Sequence, residues 1–247
     1  MNCSHIVAVY FSPTHTSRRI AREVARGTGL GLLAEIDLTC EAGCDPIALP
    51  QDALILLAAP VYGGRVSPTA LERLARLRGQ GAVAVVVYGN RDYEDALLEL
   101  SDRAKDWGLT PVAAGAFIGE HSYSRPSLPV AEGRPDEDDL KRCRDFAAAV
   151  MEKLHRCGSL EQACDFPVKG SRPYKALKPS TPQAPITLPE KCLRCGSCLK
   201  HCPTQAIFRA EDGSMDTDKG RCIKCCTCVK GCPAQARVFD TPFSEFL

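Results

Sequence analysis

The densest concentration of reactive side chains lies between residues 192 and 232. Two runs, KCLRCGSCLKHCPTQAI and RCIKCCTCVKGCPAQAR, align at four cysteines and at the proline after the last of them, offset by 222 − 192 = 30 residues. Each reads C-x2-C-x2-C-x3-C-P, the bacterial iron–sulfur spacing, and the tandem copy predicts two [4Fe–4S] clusters. Three closely spaced thiolates can reach three irons of one cubane, while the fourth is directed away and ligates the other. One cluster is expected on Cys192, Cys195, Cys198 and Cys232, and the other on Cys222, Cys225, Cys228 and Cys202. Zinc is the competing reading, but its sites usually separate two C-x2-C pairs by a dozen or more residues.

Cys226 falls outside this frame, between two ligands and expected to point elsewhere. It reads as a small apolar filler beside the cluster, or else as a free thiol. Cys3, Cys40, Cys44, Cys143, Cys157 and Cys164 show no ligand spacing. Fifteen cysteines in a long chain, nine of them in residues 192–247, argue for metal ligands in a reducing compartment and against a short secreted disulfide scaffold. Residues 190–247 carry nine Lys/Arg and seven Asp/Glu, a balance of 9 − 7 = +2. Two oxidised cubanes with their thiolates bring that to about −2. Lys200, Lys224 and Lys230, inside the motifs, either offset this charge and raise the potentials or are ordinary surface lysines.

A second chemical stretch opens the chain. After the apolar run Ile6–Phe11 come Ser12-Pro13-Thr14-His15-Thr16-Ser17 and then a helical pattern. Hydroxyls crowded before a helix N-terminus form a nest of donors suited to a dianionic phosphate. Simple helix capping would need one hydroxyl. Neither G-x-G-x-x-G nor a P-loop lysine is present, which weakens dinucleotide and nucleoside-triphosphate readings.

The elements that must position these groups follow from periodicity. Ile6–Phe11, Leu32–Leu38, Ala53–Ala59, Ala82–Tyr88 and Val112–Ile118 read as strands, and apolar residues recur at helical spacing between them. Strands apolar along their whole length need cover on both faces, which predicts an α/β doubly wound five-stranded parallel sheet in the order 2-1-3-4-5. Ser67, Pro68 and Gly79 are the expected N-cap, first residue and stop of one helix. Tyr93–Trp107 and Asp136–Leu154 read as two more. In this architecture ligands sit at the carboxyl ends of the strands, which gathers the loops after Phe11, Ala59 and Tyr88.

The expected division is residues 1–164 as the α/β domain, 165–189 as a proline-rich connector and 190–247 as a small α+β cluster domain. The connector carries Lys169, Arg172, Lys175 and Lys178. It reads as a solvated linker or as a basic strap lying against an acidic cluster domain. A net charge of +1 gives no reason to expect nucleic acid, no apolar run reaches membrane-span length, and MNCSHIVAVYF reads as a first strand rather than a signal peptide.

The opening loop resembles that of flavodoxins, whose T/S-x-T-G-x-T motif binds the phosphate of FMN. Ser12, Thr14, Thr16 and Ser17 fill the hydroxyl positions, and His15 stands at the glycine. The resemblance places APVYGGRVSP (59–68) and YGNRDYEDAL (88–97) around the isoalloxazine ring. It implies FMN contacts from Pro60, Val61, Tyr62, Gly63, Gly64, Gly89, Asn90, Arg91 and Tyr93. Tyr62 and Tyr93 either stack on the ring or anchor their loops. The tail resembles bacterial-type ferredoxins, and the whole chain is similar to the flavodoxin–ferredoxin fusion family. That likeness implies the fold and the cofactors, two [4Fe–4S] clusters and FMN. A flavin holds one or two electrons and a cubane passes one at a time, so the combination reads as an electron relay. Its redox partner is expected to be a protein, because nothing in the chain binds a nicotinamide. Two cubanes suggest an oxygen-poor cytoplasm. The alternative is a flavin-dependent reductase of a small, quinone-like acceptor. His121 and Tyr123, after the last strand, read as loop anchors or as proton donors near the flavin.

Overall fold

A computed structural model describes residues 3–177, 179 and 181–241. Lys178 of the connector and Glu245 of the tail lie outside the described residues. Five parallel strands, His5–Tyr10, Gly31–Asp37, Ala53–Tyr62, Gly81–Tyr88 and Thr110–Ile118, pair in the order 2-1-3-4-5. Each crossover carries the chain over a face of the sheet, as parallel pairing requires.

The strand sequences divide their side chains between two cores. Ile6, Ala8 and Tyr10 of the first strand face helix α1 (Thr16–Gly27) and helix α4 (Glu137–Cys157). Val7, Val9 and Phe11 face helix α2 (Pro68–Leu74) and helix α3 (Ala96–Asp106). This period-two division builds three layers and fixes which strand ends meet. The second strand departs from the expected two-sided cover. It is an edge, and Leu32 and Leu33 are about half exposed.

Several expected boundaries shift for local reasons. Strand three runs on to Tyr62 and turns back through Gly63–Gly64, so that Val61 and Tyr62 pair antiparallel with Val66 and Arg65. The second loop is thus a hairpin. Helix α2 ends at Leu74, because a short strand, Leu77–Arg78, pairs with Ile47–Ala48 before Gly79 is reached. Ser67 precedes α2, but its hydroxyl caps nothing and is buried without a partner among the described residues. Helix α3 begins at Ala96, not Tyr93, and α4 runs past Leu154 to Cys157, with Gly158 in the left-handed conformation after it. Asp136 caps α4 in a reciprocal capping box with Asp139.

The cysteine-rich tail is built from short pieces. Two single-turn helices, Ser197–Lys200 and Thr227–Lys230, are each followed by a strand, Ile207–Arg209 and Arg237–Val238. The first strand pairs with Met215–Thr217 and the second with Ile186–Thr187, both antiparallel. Left-handed residues repeat in register: Arg194 and Lys224, Gly196 and Cys226, Gln205 and Gln235.

The connector is a strap with two attachments. Residues 181–188 join the cluster-bearing tail, where Lys224 donates to Thr181 Oγ1 (3.0 Å) and Arg237 to Pro185 O (3.0 Å). The basic residues of 165–177 lie instead against acidic residues at the start and outer face of α3. Asp95 accepts from the backbone N–H of Ser171 (2.8 Å) and Lys175 (2.6 Å). Asp102 takes the Arg172 fork (2.8 and 2.5 Å) and the Tyr174 hydroxyl (2.6 Å). Arg65 donates to Lys175 O (2.7 Å) and lies 4.7 Å from the centre of the Tyr174 ring.

Candidate electron-transfer site

The first loop is shaped by a left-handed residue where the motif has glycine. His15 sits at φ 65°, ψ 0° as the N-cap of α1, and its side chain caps nothing. The chain reverses there because His15 N–H donates to Ser12 O (3.1 Å) and Arg19 N–H donates to His15 O (3.0 Å). Ser12 Oγ accepts from Arg18 N–H (2.9 Å), so this hydroxyl is taken by the helix start. Burial, reinforced by Arg18 and His201, lowers the His15 imidazole from its ordinary value. Ser17 is different. Only 1% exposed, its Oγ has no hydrogen-bond partner among the described residues. A buried hydroxyl without a partner is costly, and the first N–H groups of a helix have no intrahelical acceptor. No carboxylate lies in the first turn of α1. The residues present therefore fit a phosphate.

The other expected contacts gather at the same end of the sheet. Gly63 and Gly64 have φ of 64° and 84°; a Cβ on Gly64 would strike the Glu94 side chain. Glu94 pairs with Arg91 (3.0 Å) and Lys175, and Asn90 is left-handed at φ 64°. Gly89 is covered by the His121 ring, which leaves no space for a side chain. Pro60 O accepts from Ser67 N–H (3.1 Å) at the base of the hairpin. Tyr93 meets Tyr88 edge to face at 5.3 Å, and Lys169 of the strap lies 4.4 Å from its ring centre. Loop one meets the end of strand five, since a Cβ on Gly119 would touch Thr16.

Two hollows in the tail are ringed by cysteine. One, of about 330 Å³ including its mouth, is lined by Cys192, Cys195, Cys198 and Cys232 with Met215 and Arg237. The other, of about 300 Å³, is lined by Cys202, Cys222, Cys225 and Cys228 with Ile207 and Cys226. Each collects three cysteines of one motif and the last of the other. Backbone N–H groups already point at the crossing sulfurs, Ala206 to Cys202 Sγ (3.3 Å) and Ala236 to Cys232 Sγ (3.2 Å). Among the described residues no three His, Cys, Asp or Glu side chains converge as ligands of one metal ion would. Spaced thiol rings fit a body larger than an ion. Cys226 is the buried filler expected beside the cysteine ring: it is 2% exposed, borders the second hollow, and sits at φ 57° where the repeat has Gly196.

The second hollow lies against the α/β domain. Ile223 packs on the core shared with α2 and α3. Tyr62 and Tyr123 sit among the Cys222–Cys226 thiols; burial first, then these neighbours, pushes both phenols above their ordinary values. Arg73, almost fully buried, donates to Leu38 O (2.7 Å) and to Pro203 O (2.6 Å), tying strand two's end to the first motif. Lys230 pairs with Glu120, and Arg125 with Asp240 (2.9 Å). His121 anchors its loop as well: its Nδ1 accepts from Tyr123 N–H (3.1 Å). Burial, Lys230 and Arg91 lower it to about 4, so the ring is neutral at pH 7. Periodicity leaves Arg73 unremarked; a lone arginine at an inward position of an otherwise apolar helix face is the available signal.

Residues 184–233 match the family model of the 4Fe-4S dicluster domain. The strand order 2-1-3-4-5 before it is the flavodoxin arrangement. A flavodoxin-like domain and a 4Fe-4S domain share one chain. Such a pairing supports a flavin and iron–sulfur electron-transfer protein. Among solved structures the chain is similar to a flavodoxin from the domain Archaea, with 13% identity over 61% of this chain and 99% of that one, TM-score 0.39. It is similar to a flavodoxin, WrbA-like protein from Agrobacterium tumefaciens, with 18% identity over 62% and 98%, TM-score 0.41. A third likeness is to two-electron reduced Megasphaera elsdenii flavodoxin, with 17% identity over 60% and 98%, TM-score 0.38. The fold assignment rests on this chain's own strand order, not on these distant likenesses. No curated protein matches the chain. Among the described residues no helix is long and apolar enough to cross a membrane.

Proposed function

We propose that the protein relays electrons between a protein redox partner, two [4Fe–4S] clusters and a bound FMN. The reading takes residues 1–164 as the flavin domain, 165–189 as the connector and 190–247 as the cluster domain. One observation carries it: the hollow of Cys202, Cys222, Cys225 and Cys228 abuts Tyr62 and Tyr123 at the flavin-domain loops. FMN supplies a two-electron store and the clusters a one-electron conduit, so joining them on one chain replaces chance encounter by a fixed approach.

The chain's own groups have separable tasks. Ser17 and the N-terminus of α1 hold the phosphate; Ser12, Thr14, His15 and Thr16 shape the loop around it. The hairpin Pro60–Gly64 and the segment Gly89–Tyr93 bracket the ring. Arg73 ties the first motif to the end of strand two, and Lys230 ties the second motif to Glu120 after strand five. Both hold the cluster domain at this end of the sheet. Cys202, Cys222, Cys225 and Cys228 bind the cluster near the flavin. Cys192, Cys195, Cys198 and Cys232 bind the outer one, where Cys195 and Leu193 are exposed and a partner can approach.

Anaerobically purified protein should contain about eight irons and one FMN per chain, on the stoichiometry of two cubanes. After sub-stoichiometric dithionite, flavin and cluster spectra should equilibrate within the mixing time. Colourless or zinc-containing protein, or centres that reduce independently, would refute the relay.

A further inference from the structure

The two halves of the cysteine repeat differ at one buried position. CPTQAI in the first motif corresponds to CPAQAR in the second, so Arg237 stands where the repeat has Ile207. Ile207 is buried and lines the hollow of Cys202, Cys222, Cys225 and Cys228. Arg237 is 2% exposed and lines the other hollow. Such a residue is not a surface lysine substitute, since a guanidinium stays charged and its burial demands acceptors for five N–H groups.

The acceptors are only partly supplied by the chain. Nη1 donates to Thr187 Oγ1 (2.7 Å) and Met215 O (3.3 Å), and Nη2 donates to Pro185 O (3.0 Å) and to Thr217 Oγ1. Nη2 also lies 3.8 Å from Cys228 Sγ, a thiol of the second hollow. Nε is buried with no acceptor among the described residues. No carboxylate pairs with this guanidinium among the described residues. One cation therefore borders one hollow through its lining, approaches a sulfur of the other, and keeps an unused donor.

We propose that Arg237 is a positioning residue shared by both clusters, whose charge and free Nε–H favour the reduced, more negative state of each. The inference rests on the proposed two-cluster reading and goes beyond it by naming the side chain that sets the potentials. Lys200, Lys224 and Lys230, the cations inside the motifs, are differently employed: Lys224 donates to Thr181 Oγ1 (3.0 Å), Lys230 holds Glu120, and Lys200 is exposed. A buried charge acts through low dielectric and is weakly screened, whereas those on the surface are screened by salt.

The test is an anaerobic, EPR-monitored redox titration of the full chain, wild type against Arg237→Gln, Arg237→Met and Arg237→Lys, with iron content and circular dichroism measured alongside. Each neutral variant should make reduction of both clusters at least tenfold less favourable. That corresponds to a fall of about 59 mV in each one-electron midpoint. The shift should persist at high salt, and Lys, which keeps the charge, should recover part of it. Unmoved midpoints, or a shift confined to one cluster, would overturn the proposal.

Should the neutral variants lose iron, wild-type protein labelled with [15N]arginine decides the matter. Pulsed EPR of the reduced protein should then show arginine nitrogen coupled to both cluster spins, and its absence at either overturns the shared placement. Wild-type protein without two clusters would sink the proposed function itself. Intact clusters with unchanged midpoints would sink only the role of Arg237.

Discussion

Replacing Ser17 with alanine should have opposite effects on the flavin-free and flavin-loaded forms. In the flavin-free protein the Ser17 hydroxyl is buried without a partner at the second residue of α1. Such a group costs about 1–3 kcal/mol in desolvation, which alanine removes. Alanine's better helix propensity contributes at most about 0.7 kcal/mol, so any gain above that comes from the orphaned hydroxyl. For a chain of this length each kcal/mol raises Tm by roughly 2–4 °C. In the loaded protein the same change deletes a hydrogen bond to a phosphate, contributing about 1.5–3 kcal/mol. The two changes add in the binding free energy, about 2.5–6 kcal/mol, so the FMN Kd should rise roughly a hundred-fold or more. Calorimetry of flavin-free protein and anaerobic fluorescence titration with FMN measure the two effects separately. A flavin-free S17A protein no more stable than propensity allows, or an unchanged Kd, would refute the phosphate assignment.

Cys202→Ser should damage the cluster to which the second motif supplies three ligands, and Cys232→Ser the other, each read as loss of one EPR signal; damage confined to the altered motif's own cluster would reverse the ligand sets. Glu99, its side chain 2% exposed, accepts from Arg65 Nε (2.9 Å) and Val66 N–H (2.9 Å). E99A strands a nearly buried arginine and should lower unfolding stability by about 3–5 kcal/mol in denaturant titration; a loss below about 1 kcal/mol would contradict it. Asp95 gives a pH dependence. The N–H groups of Lys175 and Ser171 hold its carboxyl below the ordinary value. Its contribution is thus complete above the unfolded carboxylate pKa, about 3.9, and disappears as pH falls through the depressed folded value. Hydrogen exchange should show the strap amides losing protection only below about pH 4, and D95N losing that dependence.

Much of the site is legible in the amino-acid sequence because its rules are short-range. Cysteines separated by two or three residues are brought together by local turns, and the repeated left-handed positions show the two motifs folding alike. The five strands declare themselves through unbroken apolar runs, and their order follows from the need to cover both faces. Cys226 is a buried filler beside the ring as its place outside the spacing suggests, but spacing says nothing about the left-handed turn it occupies. The connector misled because its composition is that of a linker. Its attachment depends on Asp95 and Asp102, which α3 turns outward far away in sequence.

By itself the sequence determined the repeated cysteine spacing, the hydroxyl-rich first loop and the layered sheet, since covalent spacing and side-chain periodicity leave few alternatives. Only the tertiary structure decided which thiol ring faces the flavin domain, where the strap lies, and that Arg237 is sealed between the rings. Those outcomes depend on which surfaces exclude water together, and burial is a property of distant segments meeting, which no local pattern encodes.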